Sequence, residues 1–243
     1  MAYIHSRGPR PGICEALVEL PLKPRLTCFD LDHTLLSGDS DVMWCDFLIR
    51  QGTLDAALFA AKNADMETRY KTGAVGLAEF ADFYVGTLAG RTPRQWEATR
   101  QAFLQECIVP HIPAQALDLV RQHQSSGDLV VLTTATNRFI TELTARHLGI
   151  VHLIATDPQL QAGRFTGKTT GVLNMRRGKV LRLDAWLAAR HQKRSDFFTT
   201  AYSDSINDGP LLEMADRAVA VDPDVRLRAR AKLMNWPILK FKR

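Results

Sequence analysis

The chain has 243 residues, of which 46% are hydrophobic and 23% are charged, and its formal net charge is +5. This composition is typical of a globular protein with one large core, and it excludes a disordered or fibrous chain. No run of 18 apolar residues is present and the first residues lack the apolar stretch of a secretory signal, so we expect a cytoplasmic protein without a membrane partner.

The chain begins with a segment, residues 1 to 24, that contains four prolines and shows little periodicity. We interpret it as an extension that precedes the folded domain. A short apolar run at 26–29 follows and predicts a buried strand that ends at Asp30.

Residues 41 to 109 contain several amphipathic helical stretches and no predicted strand, which indicates an inserted helical subdomain. The run Thr92-Pro93-Arg94-Gln95 predicts a helix N-terminus with a capping box. Breaks between helices are predicted at Gly52, Gly73 and Gly90.

Apolar runs and helical patterns alternate after the insert. Strands are predicted at 129–133, 151–155 and 197–202, with weaker candidates at 218–221 and 238–241. Helices are predicted at 113–124, 137–148, 179–190, 207–215 and 224–233. This alternation predicts an α/β fold with a doubly wound, mainly parallel, Rossmann-like sheet, in which ligands bind beyond the carboxyl ends of the strands.

The cysteines are far apart and include no C-x-x-C pair, so we expect reduced, mostly buried thiols instead of a zinc site or a disulfide framework. They are Cys14, Cys28, Cys45 and Cys107. The seven histidines show no H-E-x-x-H spacing. The basic residues are scattered and do not combine with aromatic residues in one motif, so we expect no nucleic-acid partner.

Two aspartates follow the first predicted strand with one residue between them, in the run Phe-Asp30-Leu-Asp32-His-Thr-Leu. If the strand geometry continues, both carboxylates point the same way. Neighbouring anions at a strand end are costly unless a cation or a proton lies between them, so the pattern predicts metal binding or acid/base catalysis. Magnesium, which prefers oxygen ligands, fits better than zinc. A turn or a helix N-cap is the alternative interpretation.

A second oxygen-rich cluster follows the predicted strand at 197–202, where Asp204 ends the strand and Asn207 and Asp208 open a helix. In a parallel sheet this cluster meets the first one across neighbouring strands. The alternative is an ordinary helix N-terminus with acidic residues in its first turn.

Two further positions carry groups that bind anions. Thr134 ends an apolar run and is followed by Ala135, Thr136 and Asn137 at the start of a helix, so its hydroxyl and nearby N–H groups can hold phosphate oxygens. Lys179 lies at the head of a helix, where the helix dipole disfavours a cation, and a nearby anion explains its position. The alternatives are simple N-capping for Thr134 and a solvated surface lysine for Lys179.

These motifs, taken in order, resemble those of the haloacid dehalogenase-like (HAD) superfamily of phosphatases over about residues 25 to 243. The helical insert is similar to a type C1 cap, and Ser-Asp-Ser-Ile-Asn-Asp is similar to subfamily IB, which contains phosphoserine phosphatase. The resemblance implies a catalytic core formed by residues 25–40 and 110–243 and a cap formed by 41–109.

The resemblance implies a phosphoric monoester hydrolase that forms a phosphoaspartyl intermediate. Asp30 would attack phosphorus, and Asp32 would protonate the leaving oxygen and later activate water. Thr134 and Lys179 would stabilise the transferring phosphoryl group. The cofactor Mg²⁺ would be held by the Asp30 and Asp204 carboxylates and the Asp32 carbonyl, with support from Asn207 and Asp208.

The stretch around the first motif, with Thr-Ala-Thr-Asn-Arg-Phe later, is similar to bacterial proteins of this subfamily assigned as histidinol-phosphatases. Phosphoserine phosphatases place an acidic residue after the first motif against the substrate amine, and Asp39 lies in the corresponding loop. We therefore expect Asp39 or Asp41 on the cation of a small phosphorylated metabolite and Trp44 against its ring. Capping of the following helix is the alternative role of both acids. For a substrate carboxylate the candidates are Arg69 and Lys71.

Three alternatives stay open from the sequence. The substrate can be phosphoserine or another small metabolite, the phosphoryl group can be transferred to an acceptor hydroxyl instead of water, and a basic binding protein is the non-enzyme alternative. The chain is expected to be a monomer or a homodimer.

Overall fold

The computed structural model describes residues 23–71 and 76–242, without the side chains of residues 67, 70 and 71. Four predictions fall outside the described residues: the extension up to residue 22, the state of Cys14, the break at Gly73, and the side-chain contact of Lys71. No helix within the described ranges is long and apolar enough to cross a membrane.

The described residues form one seven-stranded sheet with the order β4-β3-β2-β1-β5-β6-β7, in which all neighbours are parallel except β3 and β4. This confirms the predicted fold class. The strands are β1 (Arg25–Phe29), β2 (Leu129–Asn137), β3 (His152–Gln161), β4 (Arg164–Thr170), β5 (Phe198–Ser203), β6 (Arg217–Val221) and β7 (Ile238–Leu239).

Helices cover both faces of the sheet, and each face buries its own hydrophobic core. The strand β1 shows why, because Leu26 and Cys28 belong to one core and Phe29 to the other. Alternate side chains of a strand point to opposite faces, and a strand covered on both sides therefore reads as a continuous apolar run. The helices after the insert are α5 (Ala114–Ser125), α6 (Arg138–His147), α7 (Arg177–Ala188), α8 (Gly209–Glu213) and α9 (Val225–Leu233).

The segment between β1 and α5 is helical within the described residues, as predicted. It contains α1 (Ser40–Arg50), α2 (Ala56–Lys71), α3 (Leu77–Val85) and α4 (Pro93–Phe103). Thr92 and Gln95 form the predicted capping box, and Pro93 occupies the first turn of α4. Gly52 and Gly90 lie between helices with φ values of 66° and 80°, which L-residues rarely adopt.

The strand β4 is the element that the sequence patterns missed, and β3 also extends further than predicted. Along β4 only Phe165 is buried, while the other side chains are polar, glycine or partly exposed. An edge strand with one buried side chain lacks the apolar alternation that marks a strand in a sequence.

The order of the strands reverses between β1 and β5. From β1 the chain winds through β2 to β3 on one side, and β5, β6 and β7 extend the sheet on the other. A crevice opens at such a switch point beyond the carboxyl ends of the two strands. Asp30 directly follows β1, and Asp204 directly follows β5.

The three described cysteines are buried and free of disulfides, as expected. Burial raises the pKa of the Cys28 thiol to about 12. A thiol that stays protonated is a poor nucleophile and a poor metal ligand, so these cysteines act as small core residues.

Candidate active site

A cavity of about 230 Å³ lies at the switch point of the sheet. Most of the predicted site residues line it: Asp30, Asp32, Asp39, Asp41, Ala135, Thr136, Asn137, Lys179, Asp204, Asn207 and Asp208. The cavity is also lined by α3 and by the segment before α7, through Phe80, Ala81, Tyr84, Val85, Met175 and Arg176. Its floor is therefore ionic and one of its walls is apolar and aromatic.

A buried lysine joins the two acidic clusters at the floor of this cavity. The Lys179 ammonium lies 2.6 Å from Asp30 Oδ1 and 2.6 Å from Asp208 Oδ2. Ser203 donates a further hydrogen bond of 2.8 Å to Asp208 Oδ2. Lys179 is only 3% exposed, and it occupies the first turn of α7 because buried anions compensate for the unfavourable helix dipole there.

The Thr34 side chain bridges Asp30 and Asp204. Its hydroxyl lies 3.3 Å from Asp30 Oδ2 and 3.0 Å from Asp204 Oδ1, and it accepts a hydrogen bond from the Asp204 backbone N–H. Carboxylates from two distant stretches of the chain thus converge on one hydroxyl at the end of two adjacent strands.

The floor holds more negative than positive charge, and this excess changes the acidity of its groups. Burial raises the pKa of Asp30 well above its usual value. The Lys179 charge lowers this pKa, and the negative charges of Asp208, Asp204 and Asp32 raise it again. Burial also raises the pKa of Asp204 to about 6. For Lys179 burial lowers the pKa, but the Asp208 and Asp30 charges prevail and keep the ammonium protonated.

These residues fit a magnesium ion. Crowded carboxylates with raised pKa values need a cation, and oxygen atoms from carboxylates and carbonyls are the ligands that Mg²⁺ prefers. Within the described ranges, no group of three or more aspartate, glutamate, histidine or cysteine side chains is arranged to hold a metal ion. The predicted set needs only two carboxylates, from Asp30 and Asp204, because its third protein ligand is the Asp32 backbone carbonyl.

Three donors fix the Asp32 carboxylate in the cavity. Oδ1 accepts a 2.7 Å hydrogen bond from the Ser40 backbone N–H, and Oδ2 accepts from the hydroxyls of Thr134 at 3.2 Å and Thr136 at 3.0 Å. A carboxylate held in this way keeps one orientation, which general acid/base catalysis requires.

The two acids at the start of α1 differ in what they bind. Asp39 is the N-cap, and its Oδ1 accepts from the backbone N–H groups of Asp41 and Val42. Asp41 Oδ2 accepts from Thr136 at 3.3 Å, but its Oδ1 is buried without a hydrogen-bond partner. Burial and the nearby Asp39 and Asp32 charges raise the pKa of Asp41 well above its usual value. Burial raises that of Asp39 to about 6.

Two predicted contacts do not match the placement of the side chains. Trp44 is 1% exposed and packs in the core against Trp96 and Phe103, and its indole N–H donates to Thr87, so it does not face the cavity. Thr134 is also fully buried. It does not line the cavity, and its hydroxyl donates a hydrogen bond to Asp32 Oδ2.

Of the two candidates for binding a carboxylate, Arg69 pairs with Glu79 and Asp65 on the exposed side of the helical insert. The side chain of Lys71 lies outside the described residues. The cation that does line the cavity besides Lys179 is Arg176, which sequence reasoning did not single out.

Sequence reasoning also missed residues that hold the site together. Thr34 stands in the first motif, and its position there was the signal that could have found it. Asn174 had no such signal. It is fully buried, and its amide nitrogen lies within 2.9 Å of Thr133 Oγ1 and of the Thr134 carbonyl oxygen, and 2.8 Å from the Ile154 carbonyl oxygen. It ties the segment before α7 to β2 and β3.

A family model for the haloacid dehalogenase-like hydrolases matches residues 27–213. The chain belongs to this family. The resemblance deduced from the motifs is therefore confirmed, and together with the similarity to a histidinol-phosphatase described below it confirms the prediction of a phosphoric monoester hydrolase. The non-enzyme alternative, a basic binding protein, is not supported.

Individual relatives and solved structures are similar to this chain. The chain is 37% identical over 219 residues to a histidinol-phosphatase of Neisseria meningitidis, which covers 89% of this chain and 99% of that protein. A crystal structure of a protein of unknown function from Bordetella pertussis is 43% identical, with a TM-score of 0.86 over 89% of this chain and 98% of the other. A phosphoserine phosphatase solved as a phospho-aspartyl intermediate analogue has a TM-score of 0.63 at 17% identity, over 91% of this chain and 95% of that chain, and shares the fold.

Proposed function

We propose that this protein is a Mg²⁺-dependent phosphomonoesterase that forms an aspartyl phosphate on Asp30. The observation that carries the proposal is the ion-paired cluster of Asp30, Lys179 and Asp208 beside Asp204, at the floor of the cavity. A buried carboxylate oriented by a lysine ammonium and a threonine hydroxyl is an activated nucleophile of the kind that forms covalent intermediates.

The bound Mg²⁺ would neutralise part of the charge of the phosphoryl group and would be held by Asp30, Asp204 and the Asp32 carbonyl, with Asn207 and Asp208 close by. Lys179 would stabilise the negative charge that the transferring phosphoryl group develops. These roles leave Asp32 free for proton transfer.

Asp32 is the group proposed to move the proton. Asp30 attacks phosphorus while the ester P–O bond breaks, and Asp32 gives its proton to the leaving oxygen. Asp32 then takes a proton from water as the water oxygen attacks the aspartyl phosphate, which releases inorganic phosphate and regenerates Asp30. The three donors to the Asp32 carboxylate support this role because they hold it in one position.

We propose an amine-bearing phosphomonoester, and histidinol phosphate in particular, as the substrate. Asp41 supports an amine, because the residue lines the cavity and its buried Oδ1 has no hydrogen-bond partner, and burying an unpaired carboxylate oxygen is costly. Asp39 is a weaker candidate because its Oδ1 already caps α1. The aromatic wall formed by Phe80 and Tyr84 can receive a planar ring, the role that the sequence suggested for Trp44. The 37% identity to a histidinol-phosphatase supports the same substrate.

The experiment compares kcat/KM for histidinol phosphate, phosphoserine, sugar phosphates and an aryl phosphate without an amine, all with Mg²⁺. We expect histidinol phosphate to give the highest value and Asp30→Asn to abolish turnover of every substrate. No preference for histidinol phosphate contradicts the substrate, and Mg²⁺-independent turnover or an active Asp30→Asn contradicts the mechanism.

Asp41→Asn tests the amine contact, and Asp46→Asn is its matched control because Asp46 lies exposed on the same helix. A charge-assisted hydrogen bond is worth about 1.5–3 kcal/mol. Asp41→Asn should therefore lower kcat/KM for histidinol phosphate by about tenfold or more and leave the amine-free aryl phosphate almost unchanged. Equal losses for both substrates contradict the amine contact.

Two alternatives use the same machinery. Phosphoserine carries a carboxylate in addition to an amine, and Arg176 is a cation of the cavity wall that suits a carboxylate. The substrate panel separates the two. Transfer to an acceptor hydroxyl would use the same aspartyl phosphate, and product analysis with added alcohols tests it.

A further inference from the structure

We propose that Asp82 is a positioning residue that locks the apolar wall of the cavity to the core sheet and thereby sets the selectivity for the leaving group. The inference rests on the proposed function, because it concerns the same cavity. Asp82 lies on α3, which supplies Phe80, Ala81, Tyr84 and Val85 to the cavity. Asp82 is not among the cavity-lining residues, and its side chain points to the edge strand β4.

The contact between Asp82 and β4 uses both carboxylate oxygens. Oδ1 accepts hydrogen bonds from the Thr169 backbone N–H at 2.7 Å and from the Thr169 hydroxyl at 2.8 Å. Oδ2 lies 3.4 Å from the Lys168 ammonium. The Asp82 side chain is 21% exposed and Lys168 is 68% exposed, so the hydrogen bonds to Thr169 are the better shielded part of the contact.

Two backbone hydrogen bonds fasten the chain after α3 to the same strand. Gly90 N–H donates to the Phe165 carbonyl and Phe165 N–H donates to the Arg91 carbonyl, each at 2.9 Å. Gly167 also lies close to this segment, because a Cβ there would be 3.0 Å from the Ala89 Cβ and 3.4 Å from Gly86 Cα. The segment from Asp82 to Arg91 thus runs along β4 with attachments at three levels.

The strand β4 is itself firmly held by the core. It pairs with β3, and the buried Phe165 ring packs 4.9 Å from the Phe139 ring of α6, measured between centroids. The apolar wall of the cavity belongs to the helical insert, yet it is attached to the core sheet through β4. Of these contacts with β4, the one at Asp82 lies on α3 itself, between the cavity-lining residues Ala81 and Tyr84.

Loss of this contact should affect substrates according to the size of the leaving group. The phosphoryl site at Asp30 and Lys179 lies on the ends of β1 and on α7, so its geometry does not depend on Asp82. A leaving group that packs against α3 loses contact area when the helix moves, whereas a small leaving group does not reach it. We expect a rise in KM for the larger group with little change in kcat for the smaller one.

The test compares an aryl phosphate with acetyl phosphate for three variants. Asp82→Ala should raise KM for the aryl phosphate by about tenfold, in line with the loss of a charge-assisted hydrogen bond, and leave kcat/KM for acetyl phosphate within about threefold. Asp82→Asn should recover near wild-type values because its amide oxygen still accepts from Thr169. Lys168→Ala, which removes only an exposed ion pair, should also remain close to wild type.

Amide hydrogen exchange of the peptide 77–85 gives a readout that does not depend on the substrate. Faster exchange in Asp82→Ala but not in Asp82→Asn supports the inference. Unchanged exchange, or equal losses for both substrates, overturns it. If Asp82→Ala does not fold, Thr169→Val replaces it, since it removes the hydroxyl donor alone and should give a smaller shift in the same direction. A wild-type enzyme inactive on histidinol phosphate as well as on both test substrates would contradict the proposed function, and the exchange measurement would still decide the role of Asp82.

Discussion

Gly178 offers the sharpest test of how the fold positions the catalytic lysine. A Cβ at this position would lie 2.0 Å from the backbone carbonyl oxygen of Leu173, whereas real Cβ contacts essentially never fall below 3.0 Å. Gly178→Ala must therefore separate these two backbone segments by at least about 1 Å. Asn174, next to Leu173, is held by β2 and β3, so the start of α7 and with it Lys179 should move.

The expected magnitude follows from this displacement. A misplacement of about 1 Å can cost about 100-fold in rate, and overpacking of a tight site costs about 1–3 kcal/mol. We expect Gly178→Ala to lower kcat by about 100-fold with an aryl phosphate and saturating Mg²⁺. We also expect a fall in Tm of about 2–12 °C, at about 2–4 °C per kcal/mol for a chain of this size.

Gly209→Ala is the matched control, because Gly209 lies next to Asp208 but has no atom within 4 Å of the position that an added methyl group would take, and it adopts a helical φ of −44°. Its kcat should stay within about threefold of wild type, and its stability should be equal or slightly higher. A Gly178→Ala enzyme with wild-type kcat and Tm would refute the argument that backbone contact places Lys179.

Two further outcomes follow from the electrostatics of the site. Lys179→Met leaves the buried Asp30 and Asp208 carboxylates without their cation. In the absence of metal, the free energy of unfolding at about pH 7 should therefore fall by about 3–5 kcal/mol and should partly recover near pH 5. Unchanged stability would contradict this prediction. The pKa of Asp204 is about 6 in the folded chain against 3.8 ordinarily, so the folded state binds more protons between these values and the stability from this group falls as pH rises through that window. Since Mg²⁺ competes with this proton, the rise in Tm on adding Mg²⁺ should be larger at about pH 7.5 than at about pH 5.5, and equal rises would count against Asp204 as a ligand.

The fold class could be predicted from the sequence because buried parallel strands and their crossover helices leave strong local patterns. The apolar run before Asp30 and the one before Asp204 are examples, since a strand covered on both faces reads as continuously hydrophobic. Once the sheet is parallel and doubly wound, both acids must lie at its carboxyl edge. The position of Lys179 at a helix start was informative for a similar reason, because the helix dipole makes a cation there unusual.

The edge strand β4 and the direction of Trp44 could not be predicted in this way. The polar β4 sequence has one buried side chain, and β4 forms a strand by pairing with β3. Trp44 follows two acids at the mouth of the cavity, yet packing against Trp96 and Phe103 turns it inwards. Burial of a large ring in the core stabilises the fold more than its exposure at the rim of a cavity. Whether such burial is available depends on residues distant in sequence.

The sequence by itself thus determined the parallel strands of the sheet, the edge at which the acids gather, and the family of chemistry that such a cluster performs. The tertiary structure alone decided that one Thr34 hydroxyl joins Asp30 and Asp204, that Asp41 Oδ1 is buried without a hydrogen-bond partner, and that Asp82 of α3 accepts a hydrogen bond from Thr169 of β4. The physical reason is that secondary structure follows from local periodicity, whereas the partner of each polar side chain depends on which distant segment packs against it.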